Sequence, residues 1–227
     1  MRKAIALIEL IFAIVVIGIT LLAVPNLLNT TTKATTNAIT QEAVSNGASH
    51  LEMIMSQYWD EACVNYDSPI LYVKDGDSEL EEFNNTKIRV GSNKETPRRF
   101  KVVNKNKIYA SNAANLGLDS NDTAPDDIDD YTNTSFTLVK YDDAKVDTGE
   151  YKDKTVDINT SVFYISDKTN YANSTVTFDN PIANKANKSS NIKAIKVTIT
   201  SKNDDKMIVF NGFSCNIGSQ KLRRRDF

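Results

Sequence analysis

The chain has one histidine, His50, and two cysteines, Cys63 and Cys215, in 227 residues. That scarcity argues against a Cys/His zinc cluster and makes a His-based catalytic triad a poor fit. Glycine occurs only eight times, with no G-x-G-x-x-G fingerprint and no P-loop, so no phosphate cradle is written into the sequence. Nothing resembles a nucleophile elbow. The formal charge is −2, too small for the basic field that nucleic acid attracts. Together these absences point away from an enzyme. Hydrophobic residues make up 41% of the chain but are concentrated in the first 28 positions. The remainder is rich in Asn, Asp, Ser, Thr and Lys and is thinly supplied with core material. The length suits one domain of ordinary size with an appendage.

The appendage is the N-terminus. Arg2 and Lys3 form a short positive leader, and from Ile5 to Val24 only Glu9 is charged. As a helix this run would span roughly 30 Å, the thickness of a bilayer core. Arg2 and Lys3 would stay on the cytoplasmic side by the positive-inside rule. The run is too long for an ordinary secretory signal, and no small-x-small cleavage site follows it. Pro25 comes next, where a straight helix kinks or restarts. Glu9 is the anomaly, because a carboxylate at the centre of a membrane helix costs about 2.5–3.5 kcal/mol. It either snorkels to the headgroups or has a partner.

Lys3-Ala4-Ile5-Ala6-Leu7-Ile8-Glu9-Leu10-Ile11, then an apolar run containing Gly18 and ending at Pro25, resembles the N-terminus of a type IV pilin or pseudopilin. The resemblance implies cleavage by a prepilin peptidase between Ala4 and Ile5, with N-methylation of Ile5. It makes Glu9 the fifth mature residue, whose carboxylate neutralises the terminal amine of a neighbouring subunit. Three positions depart from the family pattern: Ala4 where Gly is usual, Ile5 where Phe is usual, and Pro25 one place early. Two unit charges about 4 Å apart attract by about 4 kcal/mol at an effective dielectric near 20, enough to offset much of the cost of carrying Glu9 in lipid.

After a Thr-rich stretch, apolar residues at Val44, Ala48, Leu51, Met55 and Tyr58 follow helical spacing, with Ile54 widening the stripe. Gly47 weakens that helix slightly. The helix is expected to run to about Trp59 or Asp60, giving the stem of a pilin whose stripe packs on a sheet. His50 reads as an ordinary interface residue, and Tyr58 and Trp59 close the helix over the core. From Asn65 onward the pattern is strand-like: Ile70–Val73, Lys87–Val90, Phe100–Val103, Phe136–Tyr141, Ser161–Ile165, Ser174–Phe178, Ile192–Thr200 and Met207–Cys215. Asn/Asp/Gly/Ser-rich turns separate these runs, which suggests a mainly antiparallel sheet. The tail Lys221-Leu222-Arg223-Arg224-Arg225 reads as a solvated basic terminus.

Residues 119–131 hold Asp119, Asp122, Asp126, Asp127, Asp129 and Asp130. Six carboxylates repel unless a hard cation with oxygen ligands compensates, which makes them candidate calcium ligands. No Glu closes an EF-hand, and an exposed loop of Asx turns with solvated charges is the preferred reading, calcium the alternative. Asp126-Asp127-Ile128-Asp129-Asp130-Tyr131, with Val162-Phe163-Tyr164-Ile165 and the strand Ile192–Thr200, is similar to minor pilins of the mannose-sensitive haemagglutinin kind. A pilin-like chain places its C-terminal part on the oxidising side of the membrane, so Cys63 and Cys215 are expected to pair, the alternative being two buried thiols.

The expectation is an α+β, pilin-like fold. Residues 1–4 are the leader, 5–24 the membrane-spanning half of the stem, 25–60 its amphipathic half, and 61–227 a β-rich extracytoplasmic head. The resemblance implies a structural minor pilin, single-pass in the inner membrane before assembly. Its partners would be the prepilin peptidase, the inner-membrane assembly platform and other pilin subunits, with no nucleic acid and no cofactor beyond the calcium candidate. A pseudopilin of a type II secretion system, in a periplasmic pseudopilus, is the alternative.

Overall fold

A computed structural model describes residues 2–63, 69–93, 96–120, 122–139, 155–168, 174–175, 181–201 and 204–218. The chain divides into two compact units, Met1–Asn46 and Gly47–Phe227. The first unit is helix throughout its described length, the major part of α1 (Arg2–Met55). Pro25 sits inside α1 without ending it. The Thr-rich stretch that follows also stays helical. Thr30, Thr31, Thr32, Thr35 and Thr36 each donate a hydroxyl to the carbonyl four residues back, at 2.8–3.0 Å. These bonds satisfy the hydroxyls within the helix itself.

The second unit is built on an antiparallel sheet of sequential order: β3 (Ser135–Val139), β4 (Thr155–Ile165), β5 (Ile192–Ser201) and β6 (Asp204–Cys215). A two-stranded ribbon, β1 (Val102–Val103) with β2 (Asn106–Lys107), lies outside it. Register pairs Ile158 with Ile199 and Tyr164 with Lys193. Strand alternation then puts Ile158, Thr160, Val162 and Tyr164 on one face with Lys193, Ile195, Val197 and Ile199, and all eight are buried. The last turns of α1 cover this face: Gly47 meets Ile199 and Phe210, and Leu51 and Met55 meet Gly212. The opposite face carries a smaller cluster of Phe163, Ile165 and Ala194 under Ile182 and Ile192. A third cluster, Ile70, Tyr72 and Phe100, forms around isolated bridges rather than regular strands.

The α+β class expected from the sequence is present: one long apolar N-terminal helix and an antiparallel sheet. Several details differ. α1 stops at Met55, not at Trp59 or Asp60. Trp59 and Asp60 are needed elsewhere: the Trp59 indole donates to the Ser214 carbonyl at 3.2 Å and Asp60 takes a buried cation. The stripe is also rotated. Val44, Met55 and Tyr58 are exposed, whereas Ile54 is fully buried. Ile70–Val73 and Lys87–Val90 make only isolated bridges, and Phe100–Val103 contributes two residues to β1. The expected strand Ser174–Phe178 falls largely outside the described residues, as does the basic tail at 221–225.

Candidate functional site

Three groups of residues carry the chemistry. The first is the apolar part of α1. From Leu7 to Leu28 its large apolar side chains are exposed, at 50–75% of their full surface. By length and composition this stretch is enough to cross a membrane. Ala4 and Ile5 fall in the first turns of α1, and Glu9 lies one to two turns further on with its side chain exposed. Among the described residues Glu9 has no ion-pair partner.

The second group is the acidic segment, and here the structure separates what the sequence ran together. Asp127 and Asp129 do not join the other four. Asp127 Oδ1 accepts the Asp129 and Asp130 amides at 2.8 and 3.1 Å, closing the 3-10 turn Asp129–Tyr131. Asp129 turns inward onto Lys193. The buried Lys193 ammonium donates to Asp129, to Asp60 Oδ2 at 3.1 Å and to the Trp59 carbonyl at 2.6 Å. Its Nζ stands 4.4 Å from the Trp59 ring centroid and 5.5 Å from that of Tyr164. Asp60 is itself anchored by the Ser111 and Ala62 amides. Burial raises Asp127 to about 8, helped by the neighbouring Asp129 carboxylate. Burial also raises Asp129, against the pull of Lys193. Burial alone would lower Lys193, but Asp60, Asp129 and Asp127 outweigh it and hold the ammonium above its ordinary value. An ammonium taken out of water needs all three protons engaged, and here they are.

Asp119, Asp122, Asp126 and Asp130 gather instead with Glu61, a residue the sequence reading missed. Carboxylate oxygens of Glu61, Asp119 and Asp122, and of Asp122, Asp126 and Asp130, lie within 4.8 Å of one another. Asp122 Oδ2 and Asp126 Oδ1 are shut from solvent without a hydrogen-bond partner. Burial and the surrounding carboxylates raise both Glu61 and Asp126. An all-oxygen donor set suits a hard cation such as calcium. Asp130 spends one oxygen on the Asp126 amide at 3.0 Å, so part of the cluster also serves as a turn. Glu61 lies just beyond the stem, far from the loop in sequence, and only the fold brings it there.

The third group is the two cysteines. Cys63 is buried, Cys215 is half-buried, and both are free thiols, so the bond expected between them is not formed in this structure. They nevertheless line the same cavity of about 490 Å³, beside Trp59 and Pro69. Cys63 Sγ donates to the Pro69 carbonyl at 3.7 Å. Burial pushes Cys63 up to about 11 and raises Cys215 as well, which leaves little thiolate to attack. His50, read as an interface residue, meets Thr160 Oγ1 at 2.9 Å and packs edge-on against Tyr131 and Phe136.

Comparison with family models, curated proteins and solved structures finds no match to this chain.

Proposed function

We propose that this chain is a minor subunit of a type IV pilus, anchored in the inner membrane by α1 and drawn from there into a filament. The observation that carries the reading is Glu9: the single carboxylate in the stretch of α1 from Leu7 to Leu28, whose large apolar side chains are exposed. A helix that is hydrophobic all round must be covered by lipid or by other helices. A lone carboxylate on it needs a cation. A bundle of like stems supplies both, with the amine of a processed Ile5 as the cation for the Glu9 of its neighbour. The in-helix hydroxyl bonds of Thr20, Thr30, Thr31 and Thr32 suit the same surroundings, since they leave few donors unmet where water is excluded.

In this reading the prepilin peptidase cuts between Ala4 and Ile5, and the unit that begins at Gly47 is the extracytoplasmic head. Glu9→Leu tests the pairing. The variant inserts in the membrane at least as well as the parent, because a charge has been removed from lipid, but fails to enter sheared filaments. The measurement is the ratio of this chain in sheared filaments to that in membranes. An unchanged ratio in Glu9→Leu would remove the role given to Glu9.

A further inference from the structure

The Lys193 cluster has a chemical possibility that a plain ion pair does not exhaust. We propose that Lys193 and Asp129 condense into an intramolecular isopeptide bond, which makes the pair a self-modification site. Four features of the geometry carry this. The nucleophile, Lys193 Nζ, is fully buried and in direct contact with the Asp129 carboxyl. Asp129 accepts no backbone amide among the described residues, whereas Asp60 is pinned by two. A third carboxyl, that of Asp127, accepts the Asp129 amide at 2.8 Å and so stands beside the Asp129 carboxyl, where it can move a proton. The Trp59 and Tyr164 rings wall the site, and Tyr164 is fully buried.

The step balances without any co-reactant. Nζ attacks Cγ of Asp129, the N–C bond forms and one Cγ–O bond breaks. Of the three protons on the ammonium, one stays on the amide nitrogen and two leave with the departing oxygen as water. Asp127, protonated at neutral pH, gives its proton to the leaving oxygen and is restored by one from the amine, while the second proton of the water passes from the amine to the same oxygen. Asp60 stays a carboxylate and orients the amine. The drive is electrostatic. Before condensation the pocket holds the Lys193 ammonium with the Asp60 and Asp129 carboxylates, and charges buried this deeply are costly even when paired. Afterwards the Lys193 and Asp129 charges are gone, and the carboxylate left on Asp60 is held by the Ala62 and Ser111 amides. Exclusion of water also protects the amide from the reverse reaction. The product ties β5 covalently to the Asp129–Tyr131 turn.

Peptide mapping of the purified full-length protein decides it. The expected digest contains one peptide pair joining the Lys193 and Asp129 segments, lighter than their sum by one water and unaffected by thiol reductant. Asp129→Asn gives the same linkage but loses ammonia in place of water. Asp129→Ala and Lys193→Arg give none. A parent digest in which both peptides occur separately at full mass overturns the proposal, and this needs no variant to fold. A loss of water confined to the Asp129 peptide alone, as an internal succinimide would give, overturns it equally.

Discussion

Gly47 of α1 lies so close to Ile199 of β5 that a Cβ at position 47 would stand 2.3 Å from Ile199 Cδ1 and 2.9 Å from Phe210 Cε2. The missing side chain is what lets the last turns of α1, from Gly47 on, settle on the sheet. Helix propensity alone favours Gly47→Ala by about 1 kcal/mol. Overpacking against Ile199 and the rigid Phe210 ring costs about 1–3 kcal/mol. The Gly47→Ala variant is therefore expected to be less stable, by up to about 2 kcal/mol. Urea unfolding checks it, and a stabilised variant would contradict the packing described.

His50 makes stability depend on pH. Burial lowers its pKa from the ordinary 6.5. The folded state therefore binds fewer protons than the unfolded chain in the window just below 6.5, and stability falls as pH drops through that window. The raised carboxyl of Asp127 acts in the opposite direction over the same range, so the His50 contribution is read as a difference: between pH 7.5 and 5.5 the thermal midpoint of the parent is expected to fall relative to that of His50→Gln, which can still hydrogen-bond Thr160. Equal slopes in the two proteins would remove His50 from the account.

The Glu61 cluster answers to charge. In chelating buffer Asp122→Asn relieves repulsion among the neighbouring carboxylates and is expected to stabilise the protein by about 0.2–1 kcal/mol. Calcium is expected to raise the thermal midpoint of the parent and to leave that of the variant unmoved. An equal response of both proteins to calcium reduces the cluster to a solvated acidic loop.

The parts of this fold legible in the sequence are those governed by local pattern. The alternation of Ile195-Lys196-Val197-Thr198-Ile199-Thr200 announces β5, and the apolar run from Ile5 announces α1. What the pattern hid are the long-range choices. Ile54 is fully buried, whereas Met55, which reaches the sheet at Gly212, stays exposed over much of its surface. The six aspartates looked like one site by proximity, yet a lysine 64 residues further on draws Asp129 away from the rest. Asp60 and Glu61 are adjacent in sequence but serve different clusters. No spacing rule could have assigned them, since the partners arrive from β5 and from the loop near residue 120.

The central claim is that the exposed apolar stem is a processed pilin stem. Mass spectrometry of the N-terminal peptide, from cells with and without the prepilin peptidase, tests it most directly. The account predicts a chain that begins at N-methylated Ile5 only when the peptidase is present. A chain that retains Met1 to Ala4 in both strains would contradict it and leave α1 as a plain membrane anchor.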